Sequence, residues 1–119
     1  MGASYIFFNT TDPLTKGTEI REDIMHVLGK SDDVKNLLHN IYKNMSWELS
    51  KDSNKSYWLG SNLCGSDDYA DISLDIDKEG NCHYVYFQKS SDRVLKKALS
   101  VLRTNNLFID GDTQIINDL

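Results

Sequence analysis

The chain has 119 residues, 39% of them hydrophobic and 26% charged, which is the length and composition of one globular domain, and we predict a single domain over residues 1–119. The net charge of −5 is unevenly distributed, because residues 67–79 carry six acidic residues and one basic residue, whereas the rest of the chain carries 12 of each sign. Without a basic patch, the sequence argues against a nucleic-acid-binding protein and against a peripheral protein held on an anionic membrane.

The N-terminal part of the chain predicts a strand, a loop and a helix. Residues 4–8 form a short apolar run rich in β-forming side chains, which is typical of a buried strand. Residues 9–17 hold the only proline and predict a loop. Thr18 can cap a following helix, and Gly29 stands where that helix would end. The apolar residues between them recur at helical spacing, at Ile20, Ile24, Val27 and Leu28.

The clearest helical pattern in the chain comes next. Ser31 is a candidate cap, and Asp32 and Asp33 fall in the first turn, where acidic side chains complement the helix dipole. Apolar residues then form one stripe, at Val34, Leu37, Leu38, Ile41 and Met45. We predict a second helix over 32–45.

The middle of the chain predicts β-structure, because short runs of aromatic and β-branched residues alternate with polar segments. The predicted elements are, in order, strand 47–49, strand 57–59, loop 61–68, strand 71–77, turn 78–81 and strand 82–88.

A third helix is predicted in the last part of the chain. Ser90 or Ser91 can cap it, with Asp92 in its first turn. Its apolar face carries Val94, Leu95, Ala98, Leu99 and Leu102. The helix is expected to end at 105–106, and 107–109 is expected to form an edge strand.

The order of these elements predicts the fold class. Strands that are adjacent in sequence and joined by short turns pair antiparallel, and amphipathic helices can cover one face of such a sheet. We therefore predict an α+β fold, a two-layer sandwich with a mainly antiparallel sheet and about three helices on one face.

The predicted hairpin 69–88 has the most informative pattern. A tight turn at Gly80 gives the pairs Asp77–Cys82, Ile76–His83, Asp75–Tyr84, Leu74–Val85, Ser73–Tyr86, Ile72–Phe87 and Asp71–Gln88. Alternation then places on the core face Ile72, Leu74, Ile76, Val85 and Phe87, with His83 near the turn. The opposite face, here called the acidic face, carries Asp71, Ser73, Asp75, Asp77, Tyr84 and Tyr86. A one-residue slip would mix the two sets, so the pattern selects this register.

The acidic face has two interpretations. It is either the solvated side of an antiparallel sheet without evident cover, or a binding surface on which tyrosines supply rigid contact area and carboxylates complement a basic partner. Clustered like charges repel one another, whereas a solvated face usually alternates signs, which favours a binding surface. The predicted partner-binding residues are Asp67, Asp68, Asp71, Asp75, Asp77, Glu79, Tyr84 and Tyr86.

Catalytic and metal-binding chemistry has little support in the sequence. Residues 75–80 match the first six positions of a calcium loop, but Tyr86 occupies the twelfth position, where a bidentate Glu belongs. Cys64 and Cys82 form no zinc-binding spacing with the histidines and are expected to remain thiols. The chain carries no nucleophile, phosphate-binding or dinucleotide-binding motif. We predict a non-enzyme with no catalytic residue, no metal and no cofactor.

This combination, a small acidic α+β chain with Asp71, Asp75, Asp77, Tyr84 and Tyr86 on one face, resembles the immunity proteins that bacteria pair with secreted toxins, including those of contact-dependent growth inhibition. The resemblance covers the overall character of the chain and includes no shared motif. It implies a stoichiometric inhibitor that binds a cognate protein toxin, often a basic nuclease, and masks its active site or a neighbouring surface.

Two other functions fit the same sequence. One is a phage-type inhibitor or adaptor that mimics nucleic acid with its acidic face. The other is a small ligand-binding domain or enzyme with a pocket near Trp47 and Trp58. The N-terminal residues lack the basic start and apolar stretch of a secretion signal, which predicts a cytoplasmic protein.

Overall fold

A computed structural model describes residues 3–40, 45–51, 56–62, 70–90, 92–111 and 114–116. Within these ranges the chain forms one sheet of eight strands and two α-helices. The strands are β1 (Ala3–Phe8), β2 (Gly29–Lys30), β3 (Met45–Lys51), β4 (Ser56–Asn62), β5 (Ala70–Ile76), β6 (Asn81–Ser90), β7 (Asn106–Ile109) and β8 (Ile115–Ile116). The helices are α1 (Ser31–His39) and α2 (Asp92–Val101).

The sheet has the order β3-β4-β5-β6-β1-β7-β8, and the strand pairs between described residues are all antiparallel. The short strand β2 pairs with β6 beyond the end of β1. The α+β class and the antiparallel sheet are therefore confirmed. Strand β7 was expected at an edge but lies between β1 and β8, because the chain returns once more after it.

Both helices pack on the same face of the sheet and form the main core with it. That core consists of Tyr5, Phe7, Val34, Leu38, Ile72, Leu74, Cys82, Val85, Phe87, Ala98, Leu102 and Leu107. At its centre the rings of Phe7 and Phe87 meet edge to face, with centroids 5.5 Å apart. The alternating apolar residues of the predicted hairpin thus lie on the sheet face that the two helices cover, and the residues between them lie on the other face.

The predicted first helix between Thr18 and Gly29 does not form, so the described chain has two α-helices rather than three. In its place are two short 3-10 turns, Gly17–Glu19 and Glu22–Ile24. The N–H of Leu28 donates to the carbonyl of Cys82 at 2.8 Å, and β2 follows at once. Because pairing with β6 uses these backbone groups, they are not available for a helix.

The segment that replaces this helix covers part of the opposite face of the sheet. Phe8, Met25 and Ile115 form a second buried cluster there. Partly buried around it are Ile6, Leu14, Ile20, Tyr84 and Phe108. The face that the sequence suggested to be uncovered is therefore covered near β1 and β7.

Helix α1 is shorter than the predicted 32–45. It ends at His39, Met45 already pairs with Asn62 in the β3–β4 hairpin, and Ile41 lies outside the described residues. The apolar stripe of the sequence continues past the helix because Met45 belongs to the next element. Ser31 is the first helical residue rather than the cap. Helix α2 forms where it was predicted but ends at Val101, before the expected 105–106. The β3–β4 hairpin also forms, with strands longer than the predicted 47–49 and 57–59.

The loop before the 3-10 turns is fixed by the buried side chain of Asn106. Its Oδ1 accepts the N–H of Leu14 at 2.8 Å, and its Nδ2 donates to Thr10 Oγ1 at 2.9 Å and to Asn105 Oδ1 at 2.7 Å. Asn106 is fully buried, so these bonds replace all the water that its amide would otherwise contact. One side chain therefore ties residues 10–14 to β7.

We expect Asn106→Ala to lower the free energy of unfolding by about 2–3 kcal/mol, because it removes the acceptor of the Leu14 N–H and the amide that donates to the Thr10 hydroxyl in a buried site. Urea unfolding followed by circular dichroism measures the change. Asn36→Ala, an exposed position on α1, is the matched control and should change stability by less than about 0.5 kcal/mol. Equal effects of the two substitutions would contradict the role assigned to Asn106.

Among the described residues, no helix is long and apolar enough to cross a membrane.

Candidate functional site

The β5–β6 hairpin keeps the predicted register over its outer half and departs from it near the turn. Asp71 pairs with Gln88, and the pairing continues to Leu74 and Val85 as expected. Ile76 then pairs with Cys82 instead of His83, because β6 holds one residue more than β5 in this interval. Such a β-bulge reverses which side of the strand the following residues occupy.

Because of the bulge, Cys82 and His83 lie on different faces of the sheet from those predicted. Cys82 lies fully buried in the main core, where His83 was expected. His83 is half-buried on the opposite side, where its Nε2 lies 3.0 Å from Asp77 Oδ2 and its Nδ1 lies 3.5 Å from the carbonyl oxygen of Met25. Burial raises the pKa of the Cys82 thiol to about 12, so the thiol stays protonated at neutral pH and is a poor nucleophile.

The carboxylate of Asp77 binds groups of its own turn. Its Oδ1 accepts the N–H groups of Glu79 at 2.9 Å and Asn81 at 3.0 Å, and its Oδ2 meets His83. The hydrogen bond to His83, followed by those to the Asn81 and Glu79 amides, holds the pKa of Asp77 well below its usual range. These contacts give Asp77 a structural role in the hairpin turn, with Gly80 at φ 80° completing it.

We expect the contribution of Asp77 to stability to depend on pH. A carboxylate whose pKa is lowered by folding stabilises the protein above its unfolded pKa of about 4, and this contribution is lost as the pH falls below that value toward the lowered folded pKa. Asp77→Asn should therefore lower the urea midpoint at pH 7, and its difference from the wild type should shrink at pH 3. Asp110→Asn, at an exposed carboxylate, is the control. A difference that stays constant between pH 7 and pH 3 would contradict this assignment.

The other predicted site residues lie in different environments. Asp71 is half-exposed, whereas Asp75 is only 7% exposed. Glu79 is exposed in the turn, and its carbonyl accepts the Lys30 ammonium at 2.9 Å. Asp67 and Asp68 lie outside the described residues. The acidic side chains thus do not form one uniform exposed patch.

The two tyrosines instead line a groove. It has a volume of about 360 Å³ and is lined by Ile6, Ile20, Met25, Ser73, Tyr84 and Tyr86, and we call it the tyrosine groove. Its floor comes from the three neighbouring strands β5, β6 and β1, in which Ser73 pairs with Tyr86 and Tyr86 pairs with Ile6. Its wall is the segment of the 3-10 turns, through Ile20 and Met25.

The groove lies next to the acidic positions of the sheet. Asp71 and Asp75 are two residues away from Ser73 on either side along β5, so all three side chains share one face. The groove is therefore apolar and aromatic inside, with a carboxylate position at each side along one strand. A volume of this size accepts one large side chain or a small organic group.

Sequence reasoning found the tyrosines and Ser73 but missed Ile6, Ile20 and Met25. The missed signal is in β1, where residues 5–8 are apolar without alternation. A strand of that kind is buried on both faces, which requires cover on the side away from the helices. The cover is the segment that contributes Ile20 and Met25.

The alternative site near the tryptophans has a structural explanation for one of them. Trp47 is half-buried against the main core, its Nε1 donates to His39 Nε2 at 3.1 Å, and the Lys35 ammonium lies 5.7 Å from its ring centroid. The side chain of Trp58 lies outside the description. Trp47 thus joins β3 to the end of α1.

The part of the chain that the structure describes holds no group of three or more His, Cys, Asp or Glu side chains that could bind a metal ion. The Asp75–Gly80 match to a calcium loop falls on a strand and a tight turn in which Asp77 is already hydrogen-bonded.

Comparisons with protein-family models, with curated proteins and with solved structures find no significant match to this chain. The roles of the tyrosine groove and of the acidic residues beside it therefore rest on the geometry and chemistry of this chain.

Proposed function

We propose that the protein is a non-catalytic inhibitor that binds a basic protein toxin through the tyrosine groove and the acidic residues beside it, in the manner of bacterial immunity proteins. The observation that carries the proposal is the position of an apolar, tyrosine-lined groove between Asp71 and Asp75 on one face of β5. Buried aromatic anchor points surrounded by polar groups are typical of protein–protein interfaces.

The groove and the carboxylates have separate tasks in this proposal. The groove accepts one large apolar or long basic side chain of the toxin, whose contact area supplies most of the affinity. The half-exposed carboxylate of Asp71 attracts a positively charged surface, which accelerates encounter and disfavours acidic proteins. A toxin that acts on nucleic acid presents such a surface at its active site, and occupying that surface blocks its substrate.

Two potentially reactive side chains of the β5–β6 hairpin also favour a binding role over catalysis. The Cys82 thiol is buried with a raised pKa, and the turn groups hydrogen-bond the Asp77 carboxylate. The proposed inhibitor acts in the cytoplasm, needs no cofactor and forms a one-to-one complex with its toxin.

The test is to isolate the tagged full chain from its native host and identify bound proteins by mass spectrometry. The expected result is a basic toxin domain at one-to-one stoichiometry, whose toxicity to cells is suppressed by co-expression of this chain. The matched variant carries Ser73→Trp, which fills the groove and should abolish both binding and protection. A partner that is acidic or a nucleic acid, or one that binds the groove-filled variant equally well, would overturn the proposal.

A further inference from the structure

A second cavity lies on the other side of the sheet, where the two helices meet. It has a volume of about 470 Å³, and its lining includes Asn9, Val34, Leu37, Leu102, Arg103 and Thr104. One part of this lining is apolar and comes mainly from α1 and the end of α2, whereas the other part is polar and comes from residues 103–104 and Asn9. A cavity of this size and mixed character is typical of small-molecule sites.

Thr104, which lines the polar side of the cavity, carries a buried hydroxyl group without a hydrogen-bond partner, and its oxygen does not open into the cavity. Thr104 is 8% exposed, and its Oγ1 makes no hydrogen bond within the described chain. A buried polar group in this state lowers the stability of the free protein, and native proteins contain few of them. Because the oxygen itself has almost no accessible surface, it is not available to a molecule in the cavity, and the head-group contact falls to Arg103.

The second polar group is the guanidinium of Arg103. Arg103 is exposed, lines the same cavity, and forms no ion pair with the described carboxylates. It also lines an adjoining cavity of about 380 Å³ together with Asn9, Leu102 and Thr104. A guanidinium at the mouth of an apolar cavity is suited to a carboxylate, which it can bind through two parallel N–H groups.

The backbone around these groups is held in place. The N–H of Asn105 donates to Asn9 Oδ1 at 2.6 Å, and Asn105 Nδ2 donates to the carbonyl of Thr10 at 2.7 Å. The Leu102 N–H continues the helical pattern by donating to the carbonyl of Ala98 at 2.8 Å. Arg103 and Thr104 therefore stand on a segment anchored at both ends, which reduces the ordering required when a ligand binds.

We propose that this cavity, the helix-junction cavity, binds a small amphipathic monocarboxylate, with its apolar chain or ring against Val34, Leu37 and Leu102 and its carboxylate at Arg103. Leu37, which is 40% exposed, forms the apolar rim through which such a molecule enters. The site lies on the face of the sheet opposite the tyrosine groove and is independent of the proposed inhibitory function.

The test uses three probes that share an eight-carbon chain and differ in the head group: octanoate, octanol and octylammonium. Titration of the full chain by proton–nitrogen NMR should show octanoate binding with a Kd on the order of a millimolar, as expected for about ten non-hydrogen atoms. The shifted amides should be those of the cavity lining, and octanol and octylammonium should bind at least about fivefold more weakly because they lack the carboxylate.

Two variants and one control separate the head-group contacts from general charge effects. Arg103→Gln should weaken octanoate binding roughly three- to tenfold, whereas Lys96→Gln, which removes the same charge from an exposed position of α2 outside the cavity, should not. Thr104→Val should leave octanoate binding unchanged and raise the urea midpoint of the free protein, because it removes a buried hydroxyl that a molecule in the cavity does not reach and keeps the shape of the side chain.

Equal affinities for octanoate and octanol would overturn the proposal, as would octanoate shifts that map to the tyrosine groove or an Arg103→Gln variant that binds like the wild type. Variants of the tyrosine groove that lose toxin binding should still bind octanoate like the wild type. The two sites are therefore tested separately.

Discussion

Leu74→Asp is expected to prevent folding of the chain at 25 °C. Leu74 is fully buried in the main core, one position from the bulge of the β5–β6 hairpin. An aspartate there would be buried as a charge without a partner or would have to take up a proton, and it would also remove the packing of a leucine. Changes of this kind cost more than about 4 kcal/mol, a large part of the total of about 5–15 kcal/mol that stabilises a small domain.

Circular dichroism and size-exclusion chromatography of the purified variant measure the effect. Ser73→Asp is the matched control, because it places the same side chain one residue earlier on the opposite, half-exposed face. Leu74→Asp should lose its cooperative unfolding transition, and Ser73→Asp should retain it. If both variants fold, or if only Ser73→Asp unfolds, the division of the hairpin into a core face and an acidic face is wrong.

The outer half of that hairpin was predictable from sequence because its residues alternate strictly. Ile72 and Leu74 on one strand and Val85 and Phe87 on the other exclude a one-residue slip, since such a slip would turn the two apolar side chains of one strand to the opposite face. The bulge could not be predicted, because Cys82 and His83 are both compatible with a half-buried position. In the structure Cys82, which pairs with Gly29 of β2, is the residue that enters the core.

The N-terminal segment shows the opposite case, in which a good local pattern gave the wrong element. Ile20, Ile24, Val27 and Leu28 have helical spacing, yet the segment forms 3-10 turns and a strand. Its backbone bonds to β6 and the burial of Met25 beside Phe8 outweigh the preference for a helix. The wall of the tyrosine groove belongs to this segment. The wall could therefore not be predicted from the sequence, whereas Ser73 and Tyr86 of the floor could.

The structure also changes how the acidic face can be tested. Replacing Asp71, Asp75 and Asp77 together by lysine would place a cation at a 7% exposed position and remove the hydrogen bonds of the turn. If that variant lost binding, unfolding of the chain would explain the loss as well as a disrupted interface would. Asp71 is the half-exposed member of the three, so Asp71→Lys is the suitable charge reversal.

Ser73→Trp is expected to weaken toxin binding at least about 100-fold, equivalent to about 2.7 kcal/mol, while the chain stays folded. Ser73 lies half-buried in the floor of the tyrosine groove between Tyr86 on β6 and Leu59 on β4, and tryptophan is well tolerated in strands. Its ring would occupy the space that the anchor side chain of the toxin requires. Asp71→Lys should weaken binding about tenfold, mainly through slower association, and its effect should decrease at high salt.

Surface plasmon resonance with the captured toxin, at low and high salt, distinguishes the two effects. Asn36→Trp adds the same ring at an exposed position of α1, on the other side of the sheet, and should leave the affinity unchanged. If Ser73→Trp and Asn36→Trp bind equally well, the groove is not the interface. If Ser73→Trp loses binding while Asp71→Lys keeps wild-type association at low salt, the groove alone carries recognition and the acidic residue beside it has no part in attracting the toxin.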